Sequence, residues 1–105
     1  MKQALNDTSW VFVVVQNPGI NEEFFGLHDK DSDVSYIPAF HTKEAAQGCL
    51  LHLPTERGKK YEVHAVIFGD LQKDAFGNGF LIFILDEDGK IMEKVFPDQA
   101  ILKIQ

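Results

Sequence analysis

The chain is 105 residues long, carries a net charge of −6 and a single cysteine, and is 45% hydrophobic. That length gives room for one domain, 1–105, with a core burying roughly two-thirds of the unfolded surface. The composition excludes a disordered or low-complexity chain, and a lone cysteine excludes an internal disulfide and suits a reducing compartment.

The acidic balance disfavours nucleic acid, whose non-specific affinity rests on Lys and Arg. The one basic cluster, Arg57-Gly58-Lys59-Lys60, reads as a solvated loop between a helix and a strand. The longest apolar run, Trp10 to Val15, falls far short of the ~20 residues of a membrane span. Met1 to Ser9 carries no signal-peptide pattern, and residues 1–8 read as a flexible tail. These features point to a cytoplasmic protein with neither membrane nor nucleic acid among its partners.

Trp10 to Val15 is β-branched and aromatic throughout and is stopped by Asn17-Pro18-Gly19, which predicts a central strand. Phe24, Phe25 and Leu27 precede the polar break His28 to Asp33, and Val34 to Phe40 resumes with Val34, Tyr36, Pro38 and Phe40 on one face. The pair predicts a hairpin, with Pro38 at an edge, a bulge or the strand's end. Thr42 is an N-cap, Glu44 favours the first turn, and Ala45, Ala46, Cys49, Leu50 and Leu53 make the apolar stripe of a helix that ends at Pro54.

Tyr61 to Phe68 predicts another strand, apolar on both faces in its second half and so expected to be buried there, and Gly69-Asp70 caps a short helix, Leu71 to Phe76, closed by Gly77 in left-handed geometry. Phe80 to Leu85 is a fully apolar strand. The turn Asp86 to Gly89 then returns the chain along Lys90 to Phe96, a hairpin. Residues 97–105 fit a helical turn or an edge strand equally. The expected fold is α+β: a single mixed, mostly antiparallel sheet of five to six strands, with one main helix and one short helix on one face.

Few constellations suggest chemistry. Asp29-Lys30-Asp31-Ser32-Asp33 has the opening spacing of a calcium loop, but the required sixth-position Gly is Val34 and the twelfth-position Glu is Phe40. His41, Cys49 and His52 are the candidate metal ligands, against which Cys49 belongs to the apolar stripe and no Cys-x-x-Cys supports zinc. A Cys49 nucleophile is disfavoured by its place late in the helix. The carboxylates Asp70, Asp74, Asp86 and Asp88 fall at caps, turns and exposed positions, and Gly77-Asn78-Gly79 lacks the spacing of a phosphate loop. Enzyme chemistry finds no foothold in these residues, and no cofactor is implied.

The run Tyr36-Ile37-Pro38-Ala39-Phe40-His41-Thr42-Lys43-Glu44-Ala45-Ala46 ends a strand in Pro-x-Phe and opens a capped, acidic-first helix. Together with the later strand and Gly69-Asp70-Leu71, it resembles the N-terminal domain of the SseB family and similar small bacterial α+β families, over roughly residues 34–85. The chain departs from that pattern at Leu85-Asp86, where an Asn-Pro is expected. The resemblance implies a bacterial accessory or regulatory domain with no catalytic residues to carry over.

The expected function is therefore non-catalytic and based on protein–protein contact, with a protein partner or a second copy of the chain. Tyr36, Phe40, Phe76 and Phe96 are the candidate interface aromatics. The rival expectation is a small-molecule binder or enzyme drawing on His28, His41, His64 and the acidic turns, which requires a pocket lined by two or more of those histidines. A third is a domain that works only in complex with another chain, which an unpaired sheet edge would mark.

Overall fold

β1, Trp10–Gln16, forms because six consecutive apolar residues can bury both faces of an extended strand. In the computed structural model, which describes residues 5–19 and 21–97, Val11, Val13, Val14 and Val15 are buried, so both faces are covered over most of the strand. The strands that follow are β2 (Glu23–Phe24), β3 (Leu27–Asp29), β4 (Val34–Phe40), β5 (Tyr61–Ile67), β6 (Leu81–Leu85) and β7 (Ile91–Val95). Two helices, α1 (Lys43–Leu50) and α2 (Phe68–Gly77), interrupt them. The fold is α+β with one mixed sheet, of seven strands among the described residues, a count raised above expectation by the very short β2 and β3.

β1 pairs with β5 along its whole length, and its other edge is shared by β4 at Phe12 and Val13 and by β2 at Val15 and Gln16. β4 and β1 meet only at that end. β3 takes the other end of β4, pairing Leu27 with Tyr36 and Asp29 with Val34. β4 and β6 are parallel, and every other pairing is antiparallel. Pro38 lies inside an interior strand, yet neither β1 nor β3 pairs with it, so its missing N–H falls where the two neighbours hand over.

The two helices cover opposite faces, which corrects the expectation of both on one. Period-2 alternation decides the matter. Val11, Val13 and Val15 of β1, Ile37 and Ala39 of β4, and Ile82 and Ile84 of β6 pack with Phe68, Leu71 and Ala75 of α2. Phe40, Phe83 and Leu85, joined by Phe12 and Val63, pack with Ala46 and Cys49 of α1. Strands apolar on both sides need cover on both sides, a consequence of the all-apolar runs at β1 and β6.

Local chemistry explains the ends. Thr42 caps α1, its hydroxyl accepting from the Ala45 N–H at 3.0 Å. α2 begins earlier than expected, at Phe68, without a side-chain cap. Its first amides are met by the chain's start instead, with Phe68 N–H donating to Ser9 O at 2.8 Å and Gly69 N–H to Asp7 O at 2.9 Å. Residues 5–8 are thus tied to α2 rather than forming a tail, and Leu5 packs on the core; residues 1–4 lie outside the described residues, as do 98–105. The left-handed residue after α2 is Gly79, at φ +83°, not Gly77. The β6–β7 turn is held by Asp86, whose Oδ1 accepts from the Asp88 and Lys90 amides at 2.9 Å.

Candidate protein–protein interface

β5 is an outer strand of the sheet: among the described residues it pairs with β1 alone, in an unbroken register from Trp10↔Ile67 to Gln16↔Tyr61. In a strand, the N–H and C=O of one residue point to the same lateral side, and successive residues alternate. Asn17 N–H donates to Lys60 O at 2.9 Å, and Phe68 N–H donates to Ser9 O at 2.8 Å. The even residues of β5 therefore direct their backbone groups at β1. On the far side of β1, Phe25 N–H donates to Val14 O at 2.8 Å, the alternation required for that assignment. Tyr61, Val63 and Ala65 consequently turn their amides and carbonyls outward, as Ile67 does its amide, and among the described residues no strand receives them.

The side chains on this edge are neither buried nor strongly charged. Val63, His64, Val66 and Ile67 are half-buried, and Glu62 and Ala65 are exposed. Trp10, the chain's single tryptophan, stands opposite Ile67 and is 59% exposed. Glu62 Oε1 and His64 Nε2 lie 2.9 Å apart along the strand. At the strand's foot Lys59 pairs with Glu56 at 3.2 Å, and the Tyr61 hydroxyl accepts from the Glu56 amide at 2.8 Å, ordering the turn that leads into β5.

The aromatics singled out in the sequence go to different places. Phe40 is 0% exposed beneath α1, so it is a core residue and not a surface anchor. Its position on the same strand face as Tyr36 is what carries it there. Tyr36 is half-buried, stacked on Phe83 with ring centroids 4.2 Å apart, and burial raises its phenol pKa, with Asp29 and Cys49 adding to the rise. Phe76 is half-buried against the α2-side core, and Phe96, just beyond β7, is 41% exposed.

The histidines do not converge. His28 sits on the β3–β4 hairpin, with Nδ1 3.2 Å from Ser35 Oγ and Nε2 3.0 Å from Asp33 Oδ1. It borders an open depression of about 520 Å³ also lined by Phe25, Lys59 and Tyr61. His41 borders a different one, of about 380 Å³, beside Asp86 and Asp88, and His64 lines neither. Cys49 is buried against α1's side of the core; burial pushes its thiol pKa up, and the Asp86 and Asp88 charges push it further. His52 is exposed. Among the described residues no three His, Cys, Asp or Glu side chains are grouped as metal ligands would be, so His41, Cys49 and His52 assemble no centre.

The Asp29 to Asp33 run is the β3–β4 turn. The Ser32 hydroxyl bonds Asp29 and holds its carboxyl below the usual range. No described helix is long and apolar enough to cross a membrane. No protein-family model, curated protein or solved structure matches the chain.

Alternation over Tyr61 to Ile67 looks the same whether a strand has one neighbour or two, and the apolar second half pointed to burial; Val66 and Ile67 are instead half-buried on an outer strand. A signal was present: Glu62 and His64 give β5 more polar character than β1 or β6, as suits an outer strand.

Proposed function

We propose that this chain is a non-catalytic interaction domain that engages protein through strand addition at the outer edge of β5. The observation that carries the reading is the row of outward backbone groups on Tyr61, Val63 and Ala65, left without a partner strand among the described residues. An extended segment laid along such an edge gains main-chain hydrogen bonds for affinity and side-chain neighbours on alternate residues for specificity. The bacterial, cytoplasmic and accessory or regulatory setting is part of this proposal. It is supported by the resemblance of residues 34–85 to the SseB family and by the single cysteine, which suits a reducing compartment.

The test uses two variants as bait beside the wild type in lysate of the native host. Val63→Pro deletes an outward N–H and leaves the β1 ladder whole. Phe96→Ala removes the most exposed of the four aromatics named from sequence. A stoichiometric partner lost with Val63→Pro and kept with Phe96→Ala is the expected result. The opposite pattern places the contact at the end of β7 and contradicts the edge reading.

A further inference from the structure

We propose that the strand received by β5 is β5 of a second copy, paired antiparallel about a two-fold axis at Val63. This deepens the edge-strand reading and rests on it. A strand can pair with its own copy only in a few registers, and the residues of β5 distinguish among them. With the axis at Val63, Glu62 stands directly opposite His64 of the partner subunit, and its His64 opposite Glu62 of the first copy. The carboxylate then accepts from an imidazole N–H across the seam as it does within the strand at 2.9 Å. Tyr61 stands opposite the partner's Ala65, so the bulkiest side chain of the strand meets the smallest, twice by symmetry.

The backbone agrees. Val63 is one of the outward-facing residues, so an axis through it makes a hydrogen-bonded pair in which each copy's Val63 N–H donates to the other's carbonyl. Tyr61 and the partner's Ala65 exchange bonds in the same way, for about six bonds along the seam. Moving the axis one residue, to His64, sets imidazole against imidazole and makes the central pair one whose backbone groups already point at β1. Moving it to Ala65 leaves Glu62 opposite a residue of α2, Phe68. Of these three, only the register at Val63 satisfies charge, size and hydrogen bonding together.

Charge permits the approach. The chain as a whole carries −6, but its one basic cluster, Arg57-Gly58-Lys59-Lys60, leads directly into this strand. Two acidic molecules therefore meet along the strip where acidic excess is least. A symmetric contact of this kind closes on itself as a dimer and does not propagate.

Cysteine placement reads the register directly, since native Cys49 is buried and stays out of the reaction. Val63→Cys places two thiols across the axis at the Cα separation of a hydrogen-bonded pair, about 5.5 Å, within disulfide range. Ala65→Cys places them roughly 14 Å apart along the seam, beyond it. Under mild oxidation Val63→Cys is expected to give a near-complete covalent dimer and Ala65→Cys less than about a tenth as much, while light scattering shows a concentration-dependent dimer weakened at least tenfold by Val63→Pro. A disulfide dimer from Ala65→Cys and not from Val63→Cys overturns the register. A wild type that stays monomeric at millimolar concentration overturns self-pairing. The bait comparison with Val63→Pro then still decides whether β5 receives another protein, so the two readings fail separately.

Discussion

β7 and β5 bound the same sheet on opposite sides, and their construction differs. β7 is five residues long, contains a register break opposite Ile84/Leu85, and carries Glu93 and Lys94. A short strand, a bulge and a lysine are the devices by which natural sheets make an outer strand a poor template. β5 is seven residues long, without a bulge, proline or lysine. β7 does expose Ile91 and Met92, yet the backbone beneath them is irregular. The contrast teaches that exposed apolar side chains and a pairing-competent edge are separate properties, and here they fall on different strands. β7 has been blunted, and β5 is left able to pair.

Substitutions sharpen the contrast, beginning with the interior that both edges share. Phe83→Ala, at a residue 1% exposed and stacked by Tyr36, should cost about 3–5 kcal/mol in urea denaturation. Trp10→Ala, beside the β5 edge, should cost under about 1 kcal/mol, because its ring is mostly in water already. A Trp10 substitution as costly as the Phe83 one would mean the edge is covered in the isolated chain.

Next in size is a pair of prolines one residue apart. His64→Pro removes an amide aimed at β1 and strands a carbonyl there, with an expected cost of about 3 kcal/mol. Val63→Pro removes an outward amide, with an expected cost under about 1 kcal/mol to the monomer. Equal costs, read from denaturation midpoints at low protein concentration, would break the assignment of the two lateral directions.

A smaller effect is expected on β7. Lys94 Nζ lies 5.2 Å from the centre of the Phe83 ring, so Lys94→Met should change stability by no more than about 1 kcal/mol. It also removes one of the devices that blunt the edge, so light scattering should show increased association. Unchanged association would mean that the bulge alone blunts β7. The smallest effect concerns Cys49, whose thiol pKa is raised by burial in the folded chain. A group raised on folding contributes stability that is fully present below its unfolded value and lost as pH rises through the folded one. Denaturation midpoints should therefore fall slightly above the ordinary thiol range in the wild type and less so in Cys49→Ala.

Much of the fold was legible in the sequence. The all-apolar runs at Trp10 to Val15 and Phe80 to Leu85, the Thr42 cap and the Asp86 to Gly89 turn each act locally, so local pattern reveals them. Which face a helix covers is not local: α1 and α2 have similar apolar stripes, and the crossovers that put them on opposite faces depend on strand order. The docking of Asp7 on Gly69 was equally hidden, since it joins residues 62 positions apart. A Cβ at Gly69 would come 2.9 Å from Asp7 O, a close approach that glycine alone permits. For the proposed interface, residue type was a poor guide. Phe40 looked like an anchor and is core, whereas the edge consists of backbone groups, which no residue type advertises.

Amide hydrogen exchange along β5 tests the central claim most directly, followed by NMR at two protein concentrations. In dilute solution Glu62, His64 and Val66 should be protected while Val63 and Ala65 exchange fast, an every-other-residue pattern set by the β1 ladder. At high concentration Val63 and Ala65 should gain protection and the alternation should disappear. Protection of all five amides at every dilution would contradict the open edge, and Val63 and Ala65 staying fast at every concentration would contradict its pairing with a second copy.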